Sequence, residues 1–100
     1  MSVSYHQDGT QFTVAIAGKF TFASNAEFRD ILLHIQTKTP KQIVIDLSET
    51  ELVDSAALGM LLLAREKAQS VSAEIVLLSA QGQPKKMLDV SNFRSLFTIR

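Results

Sequence analysis

Apolar residues alternate with more polar ones near the start of the chain. Phe12, Val14 and Ile16 recur at every second position, which is the period of a strand with one packed face. A shorter strand is expected around residues 3–7, and the dipeptide Asp8-Gly9 suits a tight turn between the two. These patterns predict a β-hairpin at the beginning of the domain.

The period then changes to that of a helix. Ser24 and Glu27 have the spacing of a capping box, in which each side chain bonds the backbone amide of the other residue. An apolar stripe follows at helical spacing: Phe28, Ile31, Leu32 and Ile35. Thr39-Pro40 should end this helix, because the residue before a proline avoids the helical region. His34 lies outside the stripe, and we expect it to be a solvated residue.

The remaining chain continues to alternate between strands and helices. Residues 43–47 have the β-branched, apolar composition of a central strand covered on both faces. A second helix is predicted from Asp54-Ser55 to about residue 70, then a strand over 73–79. A short helix beginning near Pro84 and a final strand over 96–99 complete the series. This order predicts an α/β fold with a mixed, mostly parallel sheet of about five strands and alternating crossover helices.

Length, charge and cysteine content narrow the class of protein. One hundred residues predict a single domain over 1–100. Ten basic residues balance ten acidic ones, which argues against electrostatic binding to nucleic acid. There is no cysteine for a disulfide or a thiolate metal ligand. The longest uncharged apolar stretch, residues 56–64, is far shorter than the roughly 20 residues that span a bilayer. We therefore expect a cytoplasmic domain without membrane insertion.

The candidate chemistry lies between residues 48 and 55, past the carboxyl end of a predicted central strand. Asp54 and Ser55 are both suitable caps for the following helix, whose free amides favour an anion. A phosphate on Ser55 would suit this position. The alternative is that Ser55 is only a cap. Neither His6 nor His34 belongs to a catalytic or metal-binding motif, and there is no glycine-rich phosphate loop, so we expect no enzyme activity, cofactor or metal.

Three further features accompany this turn. The second helix is apolar around most of its circumference, through Ala56, Leu58 and Met60, so it is either buried on several sides or docked by a partner. Gly59 inside this helix indicates a close approach by another group. Asp46 ends a predicted buried strand and needs partners; we expect it to cap a nearby loop, the alternative being that it orients Asp54-Ser55.

The sequence resembles the signature of STAS domains, the family that includes bacterial anti-sigma-factor antagonists. The likeness is carried by residues 43–48, Ile-Val-Ile-Asp-Leu-Ser, and by residues 52–59, Leu-Val-Asp-Ser-Ala-Ala-Leu-Gly. The order of the remaining elements also follows the family, so the resemblance covers essentially the whole chain. Ala56 and Ala57 depart from the pattern, which has a second hydroxyl residue and a glycine there.

The resemblance implies a binding protein controlled by phosphorylation. A serine kinase would phosphorylate Ser55 and a phosphatase would restore it, and the unphosphorylated form would bind an anti-sigma factor and free a sigma factor. Kinase and anti-sigma factor are one protein in some systems of the family. The partner surface would comprise six residues: Asp54, Ser55, Ala56, Leu58, Gly59 and Met60.

Two other functions remain open at this point. The chain is also compatible with a STAS accessory subunit of a lipid-transport ABC complex. A small phosphotransfer carrier or enzyme using His6 or Ser55 is a third hypothesis, which the absence of an accompanying base disfavours.

Overall fold

The structure is a computed structural model that describes residues 1–100. Its strands are β1 (Ser2–Asp8), β2 (Gln11–Phe20), β3 (Gln42–Asp46), β4 (Thr50–Val53), β5 (Glu74–Leu78) and β6 (Thr98–Ile99). Its α-helices are α1 (Asn25–Lys38), α2 (Ser55–Ser70) and α3 (Gly82–Val90). The predicted α/β fold with a mixed, mostly parallel sheet is confirmed.

The main sheet has the strand order β1-β2-β3-β5-β6. β1 and β2 form the predicted hairpin: Asp8 pairs with Gln11, so Gly9, with a φ of 60°, and Thr10 make the turn. Every other neighbouring pair is parallel. The carboxyl ends of β3, β5 and β6 therefore meet at one edge of the sheet.

β4 is the strand that the sequence patterns did not predict. It pairs in parallel with the last three residues of β2, with Lys19 opposite Leu52 and Phe20 opposite Val53. The register shifts after Gly18, whose φ of 85° lies in the left-handed region that favours glycine. β2 thus extends beyond the main sheet and holds β4 directly before α2.

One face of the sheet carries the core. Alternate residues of β2 and β3 are buried against α1 and α2, which follows from the period-two pattern of these strands. The main contributors are Phe12, Val14, Ile16, Phe20, Ile43, Ile45, Phe28, Ile31, Ile35, Leu61 and Ala64. On the other face Val44 and Asp46 are only half-buried. The expectation that β3 is covered on both faces was therefore wrong, although its central position is confirmed.

The start of α1 also differs from the prediction. Ser24 is only 2% exposed, and its Oγ accepts from the Thr21 amide at 3.2 Å. It closes the short 3₁₀ turn Phe22–Ser24 and makes no capping bond to α1, so the predicted capping box with Glu27 was wrong. The predicted end is confirmed: Thr39 takes a left-handed conformation, and its amide donates to the carbonyl of Ile35 at 3.0 Å.

Candidate functional site: the start of helix α2

Asp54 joins β4 to α2 and is held in two directions. Its backbone is extended, and its Oδ1 accepts from the Ala57 amide at 2.8 Å, so Asp54 is the N-cap of α2. Its Oδ2 accepts from the Phe22 amide at 3.1 Å. One carboxylate therefore links the helix start to the 3₁₀ turn that precedes α1.

Ser55 is the first residue of α2, not its cap. Its side chain is exposed. The amides of Ser55 and Ala56 have no carbonyl within the helix to bond, because the first amides of any α-helix lack one. The hydroxyl therefore lies on an open surface beside free amides and the positive end of the helix dipole.

Farther along α2, burial separates the predicted partner residues into two groups. Leu58 and Met60 are buried in the core, Met60 with 5% of its surface exposed, so their side chains do not belong to the open surface. Gly59 is exposed, and no atom lies within 4 Å of the position a Cβ would occupy there. Within the chain, the close approach expected at Gly59 is therefore absent.

The exposed side of α2 begins at Ser55 and continues at helical spacing. Gly59, Leu62, Leu63 and Glu66 are its exposed members in the next three turns. Leu63 is 47% exposed although it is apolar. One side of α2 therefore packs in the core, and the other presents a partly apolar surface; docking by a partner, the second alternative, stays a prediction.

Phe22 lies beside this surface and was missed by the sequence analysis. Its side chain is 69% exposed, and its amide donates to the Asp54 carboxylate. Leu52, in β4, is a second exposed apolar residue two positions before Asp54. An exposed aromatic side chain on a turn has no sequence periodicity that would have identified it.

Gln83 was also missed. Its side-chain Oε1 accepts from the Val53 amide at 2.8 Å, and its Nε2 donates to the Val53 carbonyl at 2.9 Å. Val53 immediately precedes the cap residue Asp54. The first turn of α3 is thus attached to the segment that leads into α2.

Asp46 behaves as a loop cap. Its Oδ1 accepts from the Ser48 amide at 2.9 Å, two residues further along the chain. This was the expected role. The alternative, an interaction that orients Asp54-Ser55, has no hydrogen bond to support it.

The histidines are associated with the hairpin, away from α2. The ring of His34 stacks on Phe12, with centroids 4.0 Å apart, and its Nε2 lies 3.1 Å from Oε1 of Gln7. Burial and, second, the nearby charge of Lys38 lower the pKa of His34. His34 is therefore half-buried and packed, so the expectation of a solvated residue was wrong.

Neither a metal site nor a cleft is found at Ser55. No group of three His, Asp or Glu side chains is arranged to hold a metal ion. The largest cavity, about 250 Å³, lies between β1, β2 and the end of β3, where Ser4, Ala15 and Asp46 line it. Ser55 lines none of the cavities. None of the helices is long and apolar enough to cross a membrane.

The fold and the site define a small α/β domain whose distinctive surface is an exposed helix start rather than a cleft. The family model for the STAS domain matches residues 2–100. A STAS-domain containing protein from Pseudomonas aeruginosa strain UCBPP-PA14 is 40% identical over 92 residues, which are 92% of this chain and 90% of that protein. The chain belongs to the STAS domain family.

Solved structures of similar fold include regulatory proteins. An anti-sigma factor antagonist from Mycobacterium paratuberculosis has a TM-score of 0.84 at 17% identity, over 98% of this chain and 83% of that chain. The Bacillus cell fate determinant SpoIIAA in its phosphorylated form has a TM-score of 0.76 at 12% identity, over 99% of this chain and 91% of that chain. At these identities the likeness is one of fold.

The same fold also occurs in a transport family. A sulfate transporter family protein from Wolinella succinogenes has a TM-score of 0.76 at 16% identity, over 89% of this chain and 73% of that chain. Fold alone therefore does not choose between regulatory and transport-associated roles.

Proposed function

We propose that this STAS domain is an anti-sigma-factor antagonist whose binding to its partner is switched off by phosphorylation of Ser55. It acts in the cytoplasm as a binding protein, not as an enzyme. The observation that carries the proposal is the exposed Ser55 hydroxyl at the first position of α2, directly after a cap that Asp54 already supplies. Because Asp54 makes the capping bond, Ser55 is free to be modified without loss of the cap.

A phosphate at this position is compatible with the fold. The free amides and dipole of the helix start favour an anion, so α2 should remain formed after modification. A serine phosphate adds nearly two negative charges and three acceptor oxygens. The modification therefore changes the surface more than the structure beneath it.

The added charge is large enough to control binding. If the phosphate lies about 6 Å from the Asp54 carboxylate, the repulsion is about 1 kcal/mol in water and about 5 kcal/mol at an effective dielectric near 20. Each 1.4 kcal/mol changes an affinity about tenfold. A partner that covers this turn and lowers its dielectric would therefore discriminate between the two states.

The proposed partner surface is the exposed part of the turn and helix. It comprises the exposed Ser55 and Gly59 and the partly exposed Asp54 and Ala56, with Phe22 as a neighbouring aromatic contact. Leu58 and Met60 support this surface from below because their side chains are buried. Exposed aromatic residues are frequent among those that contribute most to protein–protein affinity.

The first experiment tests the acceptor. The chain is incubated with ATP and its cognate serine kinase, and intact-mass spectrometry counts the phosphates. Wild type should gain one phosphate, Ser55→Ala none, and the matched control Ser48→Ala, at another exposed serine, should still gain one. Modification that persists in Ser55→Ala would refute the assignment.

The second experiment tests the switch. Immobilised wild type should capture an anti-sigma factor from the native lysate, identified by mass spectrometry, and Ser55→Glu should capture much less of it. Ser48→Glu adds the same charge at another exposed serine and should bind as wild type does. Equal capture by Ser55→Glu and wild type would show that charge at this turn is not the switch.

The transport-associated role is the second candidate, because a sulfate transporter family protein has the same fold as the anti-sigma factor antagonists. In that role the chain would be an accessory subunit of a lipid-transport ABC complex. Affinity purification from detergent-solubilised membranes separates the two: recovery of a permease and an ATPase, unaffected by Ser55→Glu, would replace the regulatory proposal.

A further inference from the structure

The edge of β4 that does not pair with β2 is hydrogen-bonded by a side chain from α3. One edge of β4 pairs with β2, and no strand pairs with the other. At Val53, Gln83 occupies that other side: it accepts from the amide at 2.8 Å and donates to the carbonyl at 2.9 Å. Its carboxamide therefore replaces the two hydrogen bonds that a neighbouring strand would make.

These bonds matter because of where Val53 lies. Only 1% of its surface is exposed, and buried backbone groups require partners. Val53 is also the last residue of β4, so its position determines where Asp54 and Ser55 begin α2. The orientation of the Val53 peptide groups therefore determines the position of the cap residue Asp54.

Gln83 is itself fixed by its surroundings. It lies in the first turn of α3, after Gly82, whose φ is 57°, and before the buried Pro84. Leu88, one turn further on, is buried in the core. The carboxamide is thus presented to β4 from a helix that is anchored in the core.

We propose that Gln83 is a positioning residue for residues 53–55, which we call the acceptor turn. Two elements hold the acceptor turn. Gln83 of α3 bonds the backbone of Val53, and the amide of Phe22 bonds the carboxylate of Asp54. Loss of the Gln83 bonds would let the end of β4 move and displace the exposed Ser55 hydroxyl. The consequence for partner binding rests on the proposed function; the structural consequence does not.

The test uses three variants followed by backbone NMR and amide hydrogen exchange. Gln83→Met keeps the approximate length of the side chain but neither hydrogen bond. Gln81→Met is the matched control, because Gln81 is exposed and makes no capping bond to α3. In Gln83→Met, the Val53 amide should exchange about tenfold faster, and the Ser55 and Ala57 amide resonances should shift. The control should leave all three as in wild type.

Gln83→Glu provides a readout that general destabilisation would not mimic. A protonated glutamic acid can still donate to the Val53 carbonyl and accept from its amide, whereas the carboxylate has no donor and places an oxygen against that carbonyl. The Ser55 and Ala57 resonances should therefore be close to wild type at low pH and displaced at neutral pH. A parallel titration of wild type gives the resonance changes that do not depend on the residue at position 83.

The outcomes are distinct. Unchanged Ser55 and Ala57 resonances in Gln83→Met, or no additional titration in Gln83→Glu, would overturn the positioning role. If Gln83→Met does not fold, the titration of Gln83→Glu alone decides. If the resonances respond as expected and partner capture falls at least fivefold in Gln83→Met but not in Gln81→Met, both proposals are supported. A spectroscopic response in a chain that captures no anti-sigma factor would support the positioning role and refute the proposed function.

Discussion

Replacing Asp54 by alanine removes the cap of α2 and the link to the Phe22 turn together. The bond to the Ala57 amide at 2.8 Å is an N-cap interaction, whose loss costs about 1 kcal/mol. The bond to the Phe22 amide at 3.1 Å is exposed to water and contributes roughly another 1 kcal/mol. The predicted loss is therefore about 2 kcal/mol.

Thermal unfolding followed by circular dichroism at pH 7 measures this loss. In a domain of about 100 residues, 2 kcal/mol corresponds to a fall in Tm of roughly 8–16 °C. Asp54→Asn should lose about half as much, because the amide oxygen can accept from one backbone amide while its NH₂ group faces the other. Ser55→Ala should stay within about 0.5 kcal/mol of wild type, since Ser55 is exposed and is not the cap.

The matched control is Asp30→Ala, at an exposed aspartate on the surface of α1, which should change stability by less than about 0.5 kcal/mol. If Ser55→Ala lowered Tm as much as Asp54→Ala, the division of roles between cap and acceptor would be wrong. A fall in Tm of less than about 3 °C for Asp54→Ala would contradict the assignment of about 1 kcal/mol to each of its two hydrogen bonds.

Three further predictions concern the stability of the fold. Met60→Lys buries a charge, so in urea titrations it should lower the free energy of unfolding by more than about 3 kcal/mol. Leu63→Lys, on the exposed side of α2, should lower it by less than about 1 kcal/mol. Similar losses for the two variants would contradict the burial of Met60. Thr50→Val should cost about 1–3 kcal/mol in the same assay, because the buried Thr50 hydroxyl donates to the Ile16 carbonyl at 2.6 Å and valine leaves that carbonyl unpaired; an unchanged midpoint would contradict this. The pKa of His34 in the folded state lies below its unfolded value of about 6.5, so neutral His34 contributes its full stability above pH 6.5. The free energy of unfolding should then fall as the pH decreases from the unfolded pKa to the folded pKa. NMR titration should show the lowered pKa, and His34→Gln should reduce the loss of stability in that pH range.

The strongly periodic elements could be predicted because local sequence determines them. The alternation in β2 and the apolar stripe of α1 each reflect a face that packs in the core, so both elements appear where they were expected. Pro40 marks a boundary because it restricts the backbone of the residue before it, and Gly9 marks the turn because glycine adopts a positive φ without steric cost. Asp54-Ser55 was found for the same reason, since a capping residue next to a helix start is a local signal.

The parts that were missed depend on contacts distant in the sequence. β4 has only four residues, and its pairing is set by the shift in β2 after Gly18. The bonds of Gln83 to Val53 span 30 positions and have no spacing rule. Ser24 had the sequence of a cap but bonds the Thr21 amide, because a 3₁₀ turn precedes α1. Local patterns thus predicted that Asp54 and Ser55 begin α2, but not which contacts hold them there.

In the proposed function, charge at Ser55 would act as a switch without a change of conformation. Phe22 and Leu52 are exposed apolar residues on the two segments that adjoin Asp54, so the proposed partner would cover them together with Ser55 and remove water from its hydroxyl. Desolvating a serine hydroxyl that finds a hydrogen bond costs little, whereas desolvating an unpaired anion costs several kcal/mol. Because the helix start tolerates the phosphate while the free domain remains in water, nearly all of that cost appears only in the complex. The proposed regulation then requires an exposed hydroxyl at a capped helix start and apolar residues close to it in the chain or the fold, and this domain has both.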